Sequence, residues 1–194
     1  MEKQLIEQNN VLTFVTGNTM KLAEVQAMLP QVVGKKIDLP ELQELDQKKI
    51  VAEKLRQAIA VCKGPVMVGD TGLYCECFAS EDGKEGLPGP FIKWFLHTMS
   101  NKGIAQIANK LGKTRARAYT IIAYARNSDD DVHFFDGSVS GSIVSPQGTS
   151  GFGWDHIFIP DGYSETFACM GTLKKNQISP RALAVQKLKQ FLQR

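Results

Sequence analysis

The feature that most constrains this chain lies near its start. A short apolar run, Leu12, Phe14 and Val15, gives way at Thr16-Gly17-Asn18 to apolar residues Leu22, Val25, Met28 and Leu29 recurring at helical spacing. A buried strand that hands over to a helix through a glycine turn points to an α/β architecture. Asn18 suits the N-cap, and a helix start presents N–H groups with partial positive charge, which favours phosphate. Lys21 adds a full charge one turn later. The stretch has neither the GxxxxGK[ST] spacing of a P-loop nor the GxGxxG of a dinucleotide fingerprint. Taken alone, it fits an ordinary capped turn as well as an anion site, because turns use Gly and Asn freely.

The mixture of helix and strand continues along the chain. Ile50, Val51, Leu55, Ala58, Ile59 and Cys62 form a helical stripe over Lys48–Cys62, preceded by a polar loop carrying Pro40 and Glu41. Lys54 lies four residues from both Ile50 and Ala58, on the apolar side, where a lysine either snorkels to solvent or meets a ligand. Gly64–Cys77 reads as a short buried strand ending on Asp70. Pro90 opens a helix with Trp94, Phe95 and Met99 on one face, and a second short helix fits Gly103–Leu111. ARAYTIIAYAR, VHFFDG and GSIVS read as successive strands, with turns at Asn127–Asp130 and at Asp136-Gly137. HIFIP is a further strand, and Ser179–Leu192 a closing helix with Ser179 as N-cap and Pro180 at its first position. The expected class is α/β with an antiparallel portion in the second half, and 194 residues fit one domain, with two lobes allowed.

Composition narrows the partners. A formal net charge of +3 permits an acidic ligand, and scattered lysines and arginines give no basic tract for nucleic acid. The four cysteines sit in or beside apolar segments and read as buried free thiols, with Cys75 and Cys77 on one strand face. MEKQLIEQNN is charged and short of apolar residues, unlike a signal or transit peptide, and no apolar run approaches the ~20 residues of a membrane span. The expectation is a soluble, cytoplasmic protein with no membrane partner.

Few charged residues stand out by themselves. Asp70 sits where an apolar strand meets Thr71-Gly72, a favoured ligand position in α/β folds, although a turn cap fits too. Glu41, Lys93 and Lys175 read as surface charges unless a shared ligand gathers them. In SGFGWDHIF, a turn of Gly151, Phe152 and Gly153 delivers Trp154 and Asp155. Aromatics beside glycines suit stacking on something flat as well as core packing.

Collected in order, FVTGNTMKLAEV, IDLPELQ, GPVMVGDTGL, GLPGPFIKWF, SGFGWDHIFIPDGY and KKNQISPRALA resemble the inosine triphosphate pyrophosphatase family from about Leu12 to the closing helix. The resemblance implies one 1–194 domain of two lobes around a long mixed sheet, with the nucleotide in the cleft, and a homodimer. It implies hydrolysis of ITP, dITP or XTP between the α and β phosphates to a monophosphate and pyrophosphate, with Mg²⁺, or Mn²⁺ in its place, as cofactor. By the same likeness Thr16, Gly17, Asn18, Lys21 and Lys54 hold the triphosphate, and Glu41 and Asp70 hold the metal. Asp70, Lys21 and Lys54 carry the catalysis, largely by positioning and electrostatics, with Asp70 orienting or deprotonating water. Phe152 stacks on the base, and Gly153, Trp154, Asp155 and Lys175 line its pocket. Thr71, Lys93, Ser179 and Arg181 complete the substrate set. An arginine can only donate, so Arg181 near position 6 favours a 6-oxo purine over adenine, whose 6-amino group is also a donor.

Two positions depart from the family. Its strand usually ends in two acidic residues, but here Gly69 precedes Asp70; its Ser-His-Arg is here Ser179-Pro180-Arg181. The first removes a carboxylate from the metal region, and the second replaces a base-contacting histidine with a proline. Two alternatives follow: a nucleotide pyrophosphatase of altered base specificity, or a non-catalytic nucleotide binder.

Overall fold

The computed structural model describes residues 11–80 and 86–194, so the reading of MEKQLIEQNN lies outside the described residues. In chain order the elements are β1 (Thr13–Val15), α1 (Thr19–Gln26), β2 (Val33–Lys35), α2 (Gln47–Val61), β3 (Val66–Cys75), β4 (Pro88–Gly89), α3 (Ile92–Lys110), β5 (Arg115–Ala125), β6 (His133–Ile143), β7 (Phe158–Pro160), α4 (Phe167–Ile178) and α5 (Pro180–Leu192). The strands form a seven-stranded sheet of order β2-β1-β3-β5-β6-β7, with β4 beside β3. β1 runs parallel to β2 and β3, while β4 and β7 are antiparallel to β3 and β6, so the sheet is mixed. No helix among the described residues is long and apolar enough to cross a membrane.

The chain divides into two compact units. The first takes residues up to Asp70 with Ile121–Asp136 and Ala184–Arg194. Its core joins Leu12 just before β1, Phe14 on β1, Val25 and Leu29 on and after α1, Met67, Ile122, and Val185 and Leu188 on α5. Each such side chain contributes roughly 1.5–3 kcal/mol when fully buried, so the helical stripes read from sequence are also what hold α1 and α5 down. The second unit, Thr71–Thr120 with Gly137–Leu183, has its own core of Leu73, Ile104, Ala118, Trp154, Phe158 and Phe167.

Several expectations change. Asp70 does not end its strand: β3 runs on to Cys75 because Leu73 and Tyr74 pair with Gly89 and Pro88 of β4. Asp136-Gly137 is no turn either. β6 passes through both residues as one extended strand beside β5, its pairing outweighing local turn propensity. The helix read from Pro90 starts at Ile92, and Trp94 is 51% exposed while Phe95 and Met99 pack on the core. α3 is interrupted at Ser100 (φ 59°, ψ 173°), which separates the two short helices expected there. Of the free cysteines, Cys75 is buried, Cys62 and Cys77 are half-buried and Cys169 is exposed. Cys77 lies in a 3-10 turn, Glu76–Phe78, rather than sharing a strand face with Cys75.

Candidate active site

In the first unit a group of candidate residues starts from the turn at Thr16. The Thr16 N–H donates to the Lys35 carbonyl (3.1 Å), and its hydroxyl accepts from the Asn18 N–H (3.1 Å). Asn18 is the N-cap: its Oδ1 accepts from the Met20 and Lys21 N–H groups at 3.0 and 3.1 Å. The cap satisfies two of the helix's orphan donors internally. The donors of this stretch that suit an anion are the Thr16 hydroxyl, the Asn18 amide NH₂ and the Lys21 ammonium.

Within the same unit Lys54 gathers the two carboxylates singled out in the sequence. Its Nζ lies 3.0 Å from Glu41 Oε1 and 3.7 Å from Asp70 Oδ1, and its side chain is only 15% exposed. This lysine does not snorkel to solvent; its stem lies beside the stripe of α2 and its ammonium meets carboxylates. Gln47, buried at the start of α2, donates to Asp70 Oδ2 at 2.8 Å, so both Asp70 oxygens have partners. α2 can start there because Asp46 caps it, accepting from the Lys48 N–H at 2.9 Å. Among the described residues no three His, Cys, Asp or Glu side chains come together as a metal group. Glu41 and Asp70 are hard oxygen donors of the kind Mg²⁺ uses, one or two carboxylates with the remaining positions taken by water and phosphate. The donor set therefore fits that ion in its chemistry.

The second unit holds the aromatic turn. The Phe152 N–H donates to Asp155 Oδ2 at 2.8 Å, closing the turn, and the buried Lys175 ammonium lies 2.5 Å from the same oxygen. Gly151 (φ +83°) has no room for a side chain, since a Cβ there would lie 2.6 Å from Asp155 Oδ2. Burial lowers the Lys175 pKa, outweighing the attraction of the Asp155 carboxylate that opposes it. The Phe152 ring is half-buried and carries two cations nearby, Lys175 Nζ at 4.5 Å and the Arg181 guanidinium at 5.7 Å from its centroid. Arg181 is buried, which pushes its pKa down to about 10 and leaves it charged at neutral pH. Its Nη2 donates to Thr71 Oγ1 at 3.2 Å, and that hydroxyl shares a 2.9 Å hydrogen bond with Thr120.

Not every predicted residue joins these groups. Trp154 takes the core alternative: it is 8% exposed and packs edge-on against Phe158 (5.4 Å) and beside Phe167 (6.0 Å). Lys93 is exposed, with its ammonium 5.4 Å from the Trp94 ring. Ser179 is buried and caps α5, its Oγ accepting from the Ala182 N–H at 3.2 Å, with Pro180 following at the first helical position as expected. Gly153 (φ +63°) forms the bend after Phe152. Gln47, Thr120 and Asn101 take part in these networks without any sequence signal. Each is a common polar side chain whose partner is distant in the chain.

Comparison with known proteins places this geometry in context. The Ham1 family matches residues 12–191. The inosine triphosphate pyrophosphatase of Schizosaccharomyces pombe is 37% identical over 185 residues, 94% of this chain and 95% of that protein. Among solved structures, the Staphylococcus aureus Ham1 protein is similar with a TM-score of 0.76 at 24% identity, over 94% of this chain and 98% of the other. A HAM1 protein from Coxiella burnetii gives 0.75 at 24% identity over the same shares. A nucleoside-triphosphatase / dITP/XTP pyrophosphatase from Mycobacterium abscessus gives 0.65 at 21%, over 91% and 97%.

Proposed function

The chain belongs to the Ham1 family, and on that premise we propose that it is a nucleoside triphosphate pyrophosphatase that hydrolyses noncanonical purine nucleotides, ITP, dITP and XTP, to the monophosphate and pyrophosphate. The observation that carries the reading is the Lys54 ammonium holding Glu41 and Asp70 within one unit whose first helix begins at the Thr16-Gly17-Asn18 turn. Two carboxylates suit a hard divalent cation and an attacking water, and a lysine suits the charge of a phosphoanhydride. The name of the 37% identical relative supplies the substrate class.

The division of labour follows from the side chains. Thr16, Gly17, Asn18 and Lys21 hold phosphate oxygens through hydroxyl, backbone N–H, amide and ammonium donors. Lys54 is drawn from its carboxylates to the pyrophosphate as negative charge builds on the leaving group. Asp70 orients the attacking water and takes its proton, while Gln47 holds the other carboxylate oxygen still. Glu41 and Asp70 would hold Mg²⁺, or Mn²⁺, which supplies charge neutralisation and Lewis acidity to the phosphates when bound. On the base side, Phe152 offers its ring for stacking and Arg181 donates to a 6-oxo group, with Thr71 and Ser179 supporting it and Lys175 alongside. A homodimer in the cytoplasm completes the proposal.

The test is a product analysis. Purified protein with Mg²⁺ is given ITP, dITP, XTP, GTP, ATP and dTTP, and monophosphate and pyrophosphate are quantified separately. Pyrophosphate and monophosphate from ITP and XTP, with ATP and GTP largely spared, is the expected result. Absent turnover sinks the enzymatic reading, and equal turnover of all six sinks the base selection. Arg181→Ala is expected to erode the ITP over ATP preference by roughly 10- to 100-fold, as loss of a donor to a 6-oxo group does; an unchanged ratio moves base reading to another residue.

Gly69 invites a complementary experiment. Its φ is ordinary, and a Cβ there would meet only the Ile121 carbonyl, Ile122 and Phe14 at 3.6 to 3.9 Å, normal contacts. On the extended β3 the Cβ direction at 69 is opposite to that of Asp70, so Gly69→Asp sets its carboxylate toward Phe14 and Ile122 rather than beside Asp70. The Mg²⁺ concentration giving half-maximal activity is expected to stay within about threefold of wild type, because the added carboxylate does not join Glu41 and Asp70. A fall of about tenfold in a folded variant would show that a carboxylate at position 69 does reach the metal.

A further inference from the structure

A hydrogen bond made just after the break in α3 reaches the turn that carries Phe152. Ser100 leaves helical geometry (φ 59°, ψ 173°), and Asn101 directly follows it. The Asn101 Nδ2 donates to the Gly153 carbonyl at 2.8 Å, across 52 residues of chain. A carbonyl accepts and does not donate, so the amide must present nitrogen here. Its Oδ1 is buried with no hydrogen-bond partner. An amide that leaves one of its two ends unsatisfied is retained at a cost, and the end it keeps is the bond to Gly153.

That bond falls at a sensitive place. Asp155 Oδ2 grips the N–H of Phe152, and Asn101 grips the carbonyl of the next residue, Gly153. The backbone on both sides of Phe152 is thus held by side chains, one from within the turn and one from α3. Gly153, at φ +63°, opens the 3-10 turn Gly153–His156, and a Cβ there would meet nothing nearer than Leu96 Cδ1 at 3.8 Å, so side-chain packing does not fix it. We propose that Asn101 is a positioning residue for purine recognition, acting through the Gly153 carbonyl to fix the ring plane of Phe152 against the base. The proposal rests on the reading of Phe152 as the base-stacking residue. Asn101 lies outside the phosphate-side groups, so its loss should affect base binding and leave the hydrolytic step intact.

The experiment compares wild type with Asn101→Ala and Asn101→Asp. Each protein is titrated with ITP and with ATP by calorimetry without divalent metal, and assayed separately with Mg²⁺ for kcat and KM. Asn101→Ala is expected to raise the ITP Kd and KM roughly tenfold with kcat within about twofold, the size of one lost hydrogen bond's worth of order. Asn101→Asp is expected to be worse than Ala, because it sets a carboxylate oxygen against the Gly153 carbonyl oxygen while keeping the volume. Equal effects of Ala and Asp, or kcat falling together with melting temperature, would assign Asn101 a packing role and overturn the proposal. Unchanged Kd and KM in both variants would also overturn it. If wild type binds ITP without hydrolysing it, the enzymatic reading fails while the Kd comparison still decides the role of Asn101. If wild type does not bind ITP, both fail.

Discussion

Asp70→Asn is expected to lower ITP turnover at least ~100-fold while leaving the fold intact, as removal of a key electrostatic group commonly does. The substitution keeps the size of the side chain. With its amide oxygen toward Gln47 Nε2 it also keeps the 2.8 Å hydrogen bond. Its NH₂ then faces the Lys54 ammonium, which lies 3.7 Å from Asp70 Oδ1 in the native protein, so two donors meet where a charge pair stood. The variant loses a negative charge for water and metal, and Lys54 keeps only the Glu41 contact of 3.0 Å among those described for its ammonium. The measurement is kcat for ITP beside a thermal melt. A near-normal rate would remove Asp70 from the mechanism. A collapsed melt would instead identify the carboxylate as structural.

The largest stability effect is expected at Asp155. Its carboxylate is 3% exposed and serves both the Phe152 N–H and the Lys175 ammonium, which is itself 7% exposed. Asp155→Ala removes the charge opposite a buried cation and opens the aromatic turn. Breaking a buried pair from one side costs about 3–5 kcal/mol, which for a chain of this length lowers Tm by something on the order of 10 °C. The second variant, Asp155→Ala combined with Lys175→Met, should recover part of that loss, because an apolar pair avoids burying an unbalanced charge. Base preference should stay impaired in the double variant, since the turn remains unclosed. If the single variant melts within about 2 °C of wild type, the pair is not a structural element of the turn.

These two predictions concern carboxylates of the same chemistry in different surroundings. Asp70 is partly accessible, with 13% of its side chain exposed, and lies between a neutral amide and a cation that can change partners. Asp155 is sealed in, its Oδ2 already used by two donors. An accessible carboxylate with mobile partners can exchange a proton or meet a ligand; a sealed one can only hold its neighbours in place. The family motif treats Asp155 as part of the base pocket, and the geometry makes it the brace of the turn that carries Phe152.

Much of the local structure was legible in the sequence for a local reason. Asn18 before Thr19 and Ser179 before Pro180 are short polar acceptors placed where a helix needs its first donors satisfied. Ile50, Val51, Leu55 and Ala58 announce the buried side of α2 by their period alone. These signals involve residues within a few positions of one another. The extents of β3 and β6 were not legible, because Gly69-Asp70 and Asp136-Gly137 favour turns by composition and are kept extended by neighbouring strands.

The site divides along the same line. The sequence by itself determined the strand-turn-helix at Thr16, the helix caps and the order of motifs that matches the Ham1 family over residues 12–191. Only the tertiary structure decided that Lys54 reaches Glu41 13 residues away, that Gln47 holds Asp70 across 23, that Lys175 meets Asp155 across 20 and that Arg181 meets Thr71 across 110. It also decided that Trp154 belongs to the core while Phe152, two residues earlier, stays half-buried beside two cations. Capping and periodicity act over one or two turns of chain, whereas a charge pair or a packed ring depends on which distant segments the two cores bring together.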